Sequence, residues 1–126
     1  MIAIFDTNIV IDALKGIPQA NTEYEKYERV LISQITWMEV LIGEKGNERD
    51  FMQANFEILS IDPQISEIAV QLRRVHRIKL PDAIVWATAR SQQAILVTRN
   101  TKDFKPEWEG IRIPYIISPE TPGVSK

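Results

Sequence analysis

Short apolar runs, each delivering the chain into a segment of helical period, restrict this sequence to a narrow set of architectures. The runs are Ile2-Ala3-Ile4-Phe5, Val30-Leu31-Ile32-Ser33, Glu57 to Ile61 and Ala94 to Thr98. A strand so uniformly apolar is suited to cover on both faces, as in a parallel sheet. Strand alternating with helix then predicts a three-layer α/β/α sandwich around a central, mostly parallel sheet. The first run ends on Asp6, which such a sheet places at its carboxyl edge, where ligands of open α/β folds bind.

After Asp6, Ile9, Val10, Ala13 and Leu14 recur at helical spacing, and Asn8, Asp12 and Lys15 form a polar line. Gly16 and Pro18 are read as the end of this helix. Tyr24 and Tyr27 mark a second short helix. Residues 35–44 predict a third, closed by Gly43 or Gly46, and residues 47–55 a fourth resting on Phe51 and Met52. Ile65, Ile68, Ala69, Leu72, Val75 and His76 make one stripe opposite Glu67, Gln71 and Arg74. His76 is thereby a core or boundary residue rather than a general base. Pro81 opens a helix reaching about Gln92. That helix is apolar on nearly every side and is predicted to be largely buried. A fifth strand over 111–117, interrupted by Pro114, suits only an edge or a bulge.

At 126 residues the chain is one domain, 1–126, and residues 118–126, with two prolines and a glycine, are expected to be a loosely held tail. The absence of cysteine excludes disulfides, thiolate zinc sites and thiol catalysis, and a single histidine leaves little room for a histidine-based site. No apolar run approaches the ~18 residues of a membrane helix. The N-terminus opens directly into a strand, so no signal peptide is expected and a cytoplasmic chain is. The net charge of −2 argues against coating long stretches of nucleic acid. The basic residues nevertheless gather in the second half, among them Arg73, Arg74, Arg77, Lys79, Arg90, Arg99, Lys102 and Lys105.

Four acids, Asp6, Glu39, Asp82 and Asp103, sit where apolar segments begin, end or turn inward. Three of them have an ordinary explanation. Asp6 suits a helix N-cap, Asp82 offsets a helix dipole, and Asp103 lies in a polar loop. Glu39 resists such an account, because Ile35, Met38, Ile42 and Gly43 share its helix face, and an unpaired buried carboxylate costs several kcal/mol. A cation is expected to meet it. Asp82 likewise shares a face with Val85, Trp86 and Ala89. In a parallel sandwich the turns after Phe5 and Val97 lie on one edge, so the four acids are expected to converge there. Oxygen donors without sulfur favour Mg²⁺ or Mn²⁺. One or two such ions suit phosphodiester hydrolysis by an activated water.

The stretches FDTNIVIDALKG (5–16), ITWMEVLIGE (35–44), RIKLPDAIVWATAR (77–90) and ILVTRNTKDF (95–104) resemble the PIN-domain ribonucleases, specifically VapC-type toxins of toxin–antitoxin pairs. The resemblance spans most of the chain, with its motifs in family order. It implies a Mg²⁺- or Mn²⁺-dependent endoribonuclease with a VapB-like antitoxin, a homodimer, and contact with DNA only through the antitoxin. Asp6, Glu39, Asp82 and Asp103 match the family's acidic cluster, with Asp6, Asp82 and Asp103 as the more direct ligands. Thr7 and Thr98 match supporting hydroxyls, and Asn8 follows the first acid. Many relatives carry an Asp where this chain has Asn100, which leaves the number of ions open. The products implied carry 5′-phosphate and 3′-hydroxyl ends. Arg77, Lys79, Arg99 and Lys102 adjoin the motifs as candidates for RNA phosphates or as surface charges. Tyr24, Tyr27, Trp37 and Phe51 are read as core, or as the lining of an antitoxin groove or dimer face.

Two other classes compete. A receiver-like phosphoacceptor domain has similar length and would use Asp62, but the acidic pair after its first strand is missing and Glu39 and Asp82 go unexplained. A catalytically silent PIN-fold binding module would have no use for all four acids.

Overall fold

The computed structural model describes residues 1–117; the expected tail lies outside them. In chain order the elements are β1 (Ile2–Phe5), α1 (Thr7–Leu14), α2 (Pro18–Tyr24), β2 (Arg29–Ser33), α3 (Gln34–Ile42), α4 (Glu48–Asn55), β3 (Glu57–Leu59), α5 (Pro63–His76), α6 (Leu80–Ser91), β4 (Ile95–Val97) and β5 (Ile111–Arg112). The strands form one five-stranded sheet in the order β3-β2-β1-β4-β5. Every pairing is parallel, with Ile4 opposite Leu31 on one side and Leu96 on the other.

Alternation along β1 divides the core. Ile4 packs with Leu31, Leu96, Ile65, Leu72 and Trp86 beneath α5 and α6. Ala3 and Phe5 point the other way, into Ile9, Val10, Val40, Met52 and Phe56 from α1, α3 and α4. Period-two alternation inside an all-apolar run is what a strand covered on both faces requires. The chain winds outward from β1 through β2 to β3, then returns across α5 and α6 to β4 on β1's other flank. That reversal creates a switch point between the carboxyl ends of β1 and β4, where open α/β sheets form their binding crevice.

Several local expectations are corrected. Pro18 does not end α1; it opens α2 within its first turn, where a missing N–H costs nothing. The fifth strand is confined to Ile111–Arg112, at the sheet edge and before Pro114. On α5, Ile65, Ala69 and Leu72 are buried, but Val75 is 74% exposed at the far end of the stripe. Asp12, on the polar line of α1, is only 3% exposed. The helix α6 is buried at Ala83 and from Val85 to Ala89, as its composition predicts.

Asp62 has a structural occupation. Its Oδ1 accepts the Ile65 N–H at 2.8 Å and caps α5. Asp62→Ala is expected to cost about 1 kcal/mol of stability in a denaturant titration. A small phosphodonor is expected to leave no aspartyl phosphate in the wild-type chain.

Candidate active site

Asp6 closes β1 and begins α1. Its backbone is extended (φ −68°, ψ 163°), so its carboxylate turns back over the helix start, and Oδ1 accepts the Thr7 N–H at 2.8 Å. The ordinary capping function is therefore real. It accounts for one oxygen only. Oδ2 accepts the Thr98 hydroxyl at 2.7 Å across the β1–β4 switch point and lies 3.4 Å from Asn8 Nδ2. Asp6 is 6% exposed, and burial, with the nearby Glu39 charge adding to it, raises its carboxyl above the ordinary value despite these donors.

Thr98 continues the connection. Its hydroxyl oxygen accepts the Asn100 N–H at 3.0 Å, and Asn100 meets Asp103 twice. The Asn100 amide donates to Asp103 Oδ2 at 2.9 Å, while its Oδ1 accepts the Asp103 N–H at 3.1 Å. Asn100 thus shapes the turn that presents Asp103. An aspartate there could accept the backbone N–H but would repel Asp103 rather than donate to it.

Asp82 stands in the first turn of α6, half-buried. Burial pushes its carboxyl up to about 7, the charges of Asp6 and Asp103 push the same way, and a hydrogen bond to Asp103 favours its protonated form. Lys79 opposes them. Glu39 reaches the group from α3, where its Oε1 accepts the Thr7 hydroxyl at 2.5 Å. Buried Thr36 places its own hydroxyl 3.2 Å from that of Thr7.

Glu39 is nevertheless exposed, contrary to the expectation of a buried acid. Met38 and Ile42 beside it are 45% and 87% exposed, while Thr36 and Val40 face the core. α3 is apolar on most sides, so its period alone does not choose the buried face. Glu39 keeps an apolar neighbourhood, but an open one.

The four expected acids are thus linked by charge or by shared hydrogen bonds. Among the described residues, however, no three of Asp, Glu, His or Cys are arranged as a finished metal cage. These observations agree once the chemistry is considered. A hard cation that keeps several waters needs only a few carboxylates around it, and uncompensated repulsion at Asp82 is relieved by a positive ion. The all-oxygen donor set fits Mg²⁺ or Mn²⁺.

The basic candidates divide. Arg77, Lys79 and Lys102 are exposed, Arg77 with a left-handed backbone at the end of α5 (φ 57°). Arg99 is instead spent on Asp12, through Nε–Oδ2 at 2.6 Å and Nη2–Oδ1 at 3.0 Å. Tyr115 donates its hydroxyl to the same carboxylate at 2.8 Å. A similar trio ties buried Glu23 to Arg112 and Tyr27. Asp12, Thr36 and Tyr115 were not recognised in the sequence. Only the spacing of Asp12, one turn after Asn8, hinted at a shared face.

His76 packs beside the stacked Trp86 and Trp108, 4.8 and 4.4 Å from their ring centres, as a boundary residue should. Of the aromatics considered for a partner groove, Tyr24 and Phe51 line an apolar groove of about 350 Å³ with Ile17, Pro18 and Phe56. Tyr27 is turned toward Glu23, and Trp37 lies under Arg49.

Residues 3–105 match the PIN domain family. The chain belongs to that family. Among solved structures it is similar to a chain of a toxin–antitoxin complex from Klebsiella pneumoniae, at 43% identity and TM-score 0.84, over 91% of this chain and 99% of that one. It also resembles a chain of VapBC2 from Rickettsia felis bound to a DNA fragment from their promoter, at 25% identity and TM-score 0.73, covering 83% and 92%. A chain of DNA-bound VapBC from Salmonella typhimurium, at 23% identity and TM-score 0.72, covers 90% and 96% and shares the fold. A search of curated protein sequences gives no match. No helix among the described residues is long and apolar enough to cross a membrane.

Proposed function

We propose that this chain is the toxin of a toxin–antitoxin pair and a Mg²⁺- or Mn²⁺-dependent endoribonuclease. The observation that carries this reading is the electrostatic conflict at the switch point. Asp82 is held near neutral pH by burial and by Asp6 and Asp103, which is costly unless a cation resolves it. Perturbed acids in a crevice mark functional sites more often than structural ones.

Asp6, Asp82 and Asp103 would hold the ion, with Glu39 completing its surroundings or orienting water. A bound divalent cation supplies Lewis acidity toward a phosphodiester oxygen and makes water a better nucleophile. The chain's own residues do the rest. Thr98 and Asn8 fix Asp6 Oδ2, Thr7 aims Glu39, and Asn100 orients Asp103. Arg77, Lys79 and Lys102 are free to hold phosphates of the RNA and offset the acids' repulsion. The groove between α1–α2 and α4 suits the apolar face of an antitoxin segment. The exposed Met38 and Ile42 offer apolar surface to a second copy.

Purified protein is expected to cleave single-stranded RNA with Mg²⁺ or Mn²⁺, leaving 5′-phosphate and 3′-hydroxyl ends, and to stop when chelator exceeds metal. Undiminished cleavage in chelator would remove the metal from the mechanism. A silent binding module would give no cleavage under any condition, while still binding RNA or antitoxin.

A further inference from the structure

We infer that Asp12 is a positioning residue, acting through Arg99 to hold the loop that presents Asn100 and Asp103; the inference rests on reading Asp6, Asp82 and Asp103 as the metal site. Asn8 and Asp12 stand one turn apart on α1, and both grip Arg99. Asn8 Oδ1 accepts its backbone N–H at 3.0 Å, while Asp12 takes its guanidinium in a two-pronged pair. Tyr115 donates to Asp12 Oδ2, the oxygen that Arg99 Nε also meets, and its ring lies 6.0 Å from the guanidinium carbon.

The location gives this pair its consequence. Arg99 lies between Thr98, whose hydroxyl bonds Asp6, and Asn100, whose side chain bonds Asp103. The segment from Arg99 to Asp103 belongs to no helix or strand. Its backbone is set by its own turn bonds, by buried Phe104 at its end and by anchors at its start, and the Arg99 side chain is one of those anchors. A bidentate arginine–carboxylate pair fixes direction as well as distance. Asp12 itself is engaged by Arg99 and Tyr115, so it acts on the site only through the loop.

The Glu23–Arg112–Tyr27 trio supplies an internal control. It has the same chemistry, with Glu23 2% exposed and Arg112 bound at 2.6 and 3.0 Å, but its arginine side chain sits beside Met1, Lys26 and Ile95. Those residues mark the opposite, amino end of the sheet, although the Arg112 backbone carbonyl accepts the Thr98 N–H at 3.0 Å at the carboxyl edge, a ladder bond that Glu23→Gln leaves in place.

The test compares Asp12→Asn with Glu23→Gln by amide hydrogen exchange on the metal-free protein, then by Mn²⁺ titration calorimetry. Both variants are expected to lose stability. Only Asp12→Asn is expected to speed exchange at the Asn100 and Asp103 amides, by about ten-fold, and to weaken Mn²⁺ binding about 10- to 100-fold. Should Asp12→Asn fail to fold, Asp12→Asn combined with Arg99→Gln removes the unpaired, partly buried charge. That double variant is expected to regain stability but neither loop protection nor Mn²⁺ affinity. Loop exchange at the Glu23→Gln rate in the Asp12 variants would overturn the inference. A wild type that binds no Mn²⁺ would instead remove the metal reading, and the exchange contrast would still decide the positioning.

Discussion

Asp6→Asn is expected to abolish RNA cleavage, by about three orders of magnitude or more, while leaving the protein folded and within about 1 kcal/mol of wild-type stability. Loss of activity follows from the geometry. Asp6 is the acid shared by β1, α1 and the β4 loop, and one neutral amide in its place weakens every charge-dependent function of the site. The stability result is less obvious. Asparagine caps helices about as well as aspartate, so the bond to the Thr7 N–H survives. The amide nitrogen then faces Thr98, whose hydroxyl oxygen already accepts the Asn100 N–H and the Asn8 amide, so the bond to Thr98 is lost. The substitution also removes a buried negative charge that Glu39 and burial already disfavour. Removal of that charge offsets the lost bond, and thermal denaturation should give a midpoint close to the wild type's, with any loss below about 1 kcal/mol. An inactive but unfolded variant would show only that Asp6 is structural. Wild-type activity would remove it from the chemistry.

Asp82→Asn is expected to flatten the pH dependence of stability as well as to stop cleavage. The folded protein holds this carboxyl at about 7 against an ordinary value of 3.8. Between those values the folded state keeps a proton that the unfolded chain has released. Folding therefore binds protons, and stability falls as pH rises from about 4 to about 7, reaching its floor above that range. Asp6 shifts in the same direction and leaves a residual slope in the variant. Because Asp82 is only half-buried, solvent screening reduces the effect. At pH 8 the variant should exceed the metal-free wild type by roughly 1–2 kcal/mol, or about 3–8 °C in midpoint. Mn²⁺ should stabilise the wild type most strongly above pH 7, where the carboxylate no longer has to release a proton to bind it. A wild type whose metal-free stability is level from pH 5 to pH 8 would contradict the electrostatic account of the crevice.

The layers of the fold were legible because short apolar runs alternate with helical stripes, and because an all-apolar β1 admits few alternatives to a central position. Strand order was not legible, since nothing in Ile95 to Val97 says which neighbour it chooses. Adjacency of the β1 and β4 edges followed only as an inference from parallel topology, and the Asp6–Thr98 bond gives it substance. Pro18 was misread because a proline that ends one helix and a proline that starts the next look alike in sequence. α3 hid its outward face for a related reason: Ile35, Met38 and Ile42 are as apolar as the residues that do reach the core. Asp12 and Glu23 were invisible as buried acids because their arginines lie 87 and 89 positions away. The acids themselves were found by their placement at segment ends. The Asn100–Asp103 turn, in which a neutral amide supports the last acid, rests on side-chain bonds that spacing does not encode.

The central claim is that Asp6, Asp82 and Asp103 hold a divalent ion with Glu39 nearby, and Mn²⁺ anomalous scattering from soaked crystals tests it most directly. The account predicts at least one strong peak within bonding distance of Asp6, Asp82 or Asp103 carboxylate oxygens, absent from Asp6→Asn crystals, with the number of peaks giving the number of ions. A Mn²⁺-soaked wild-type crystal with no peak in that crevice, from protein whose RNA cleavage persists in chelator, would contradict it.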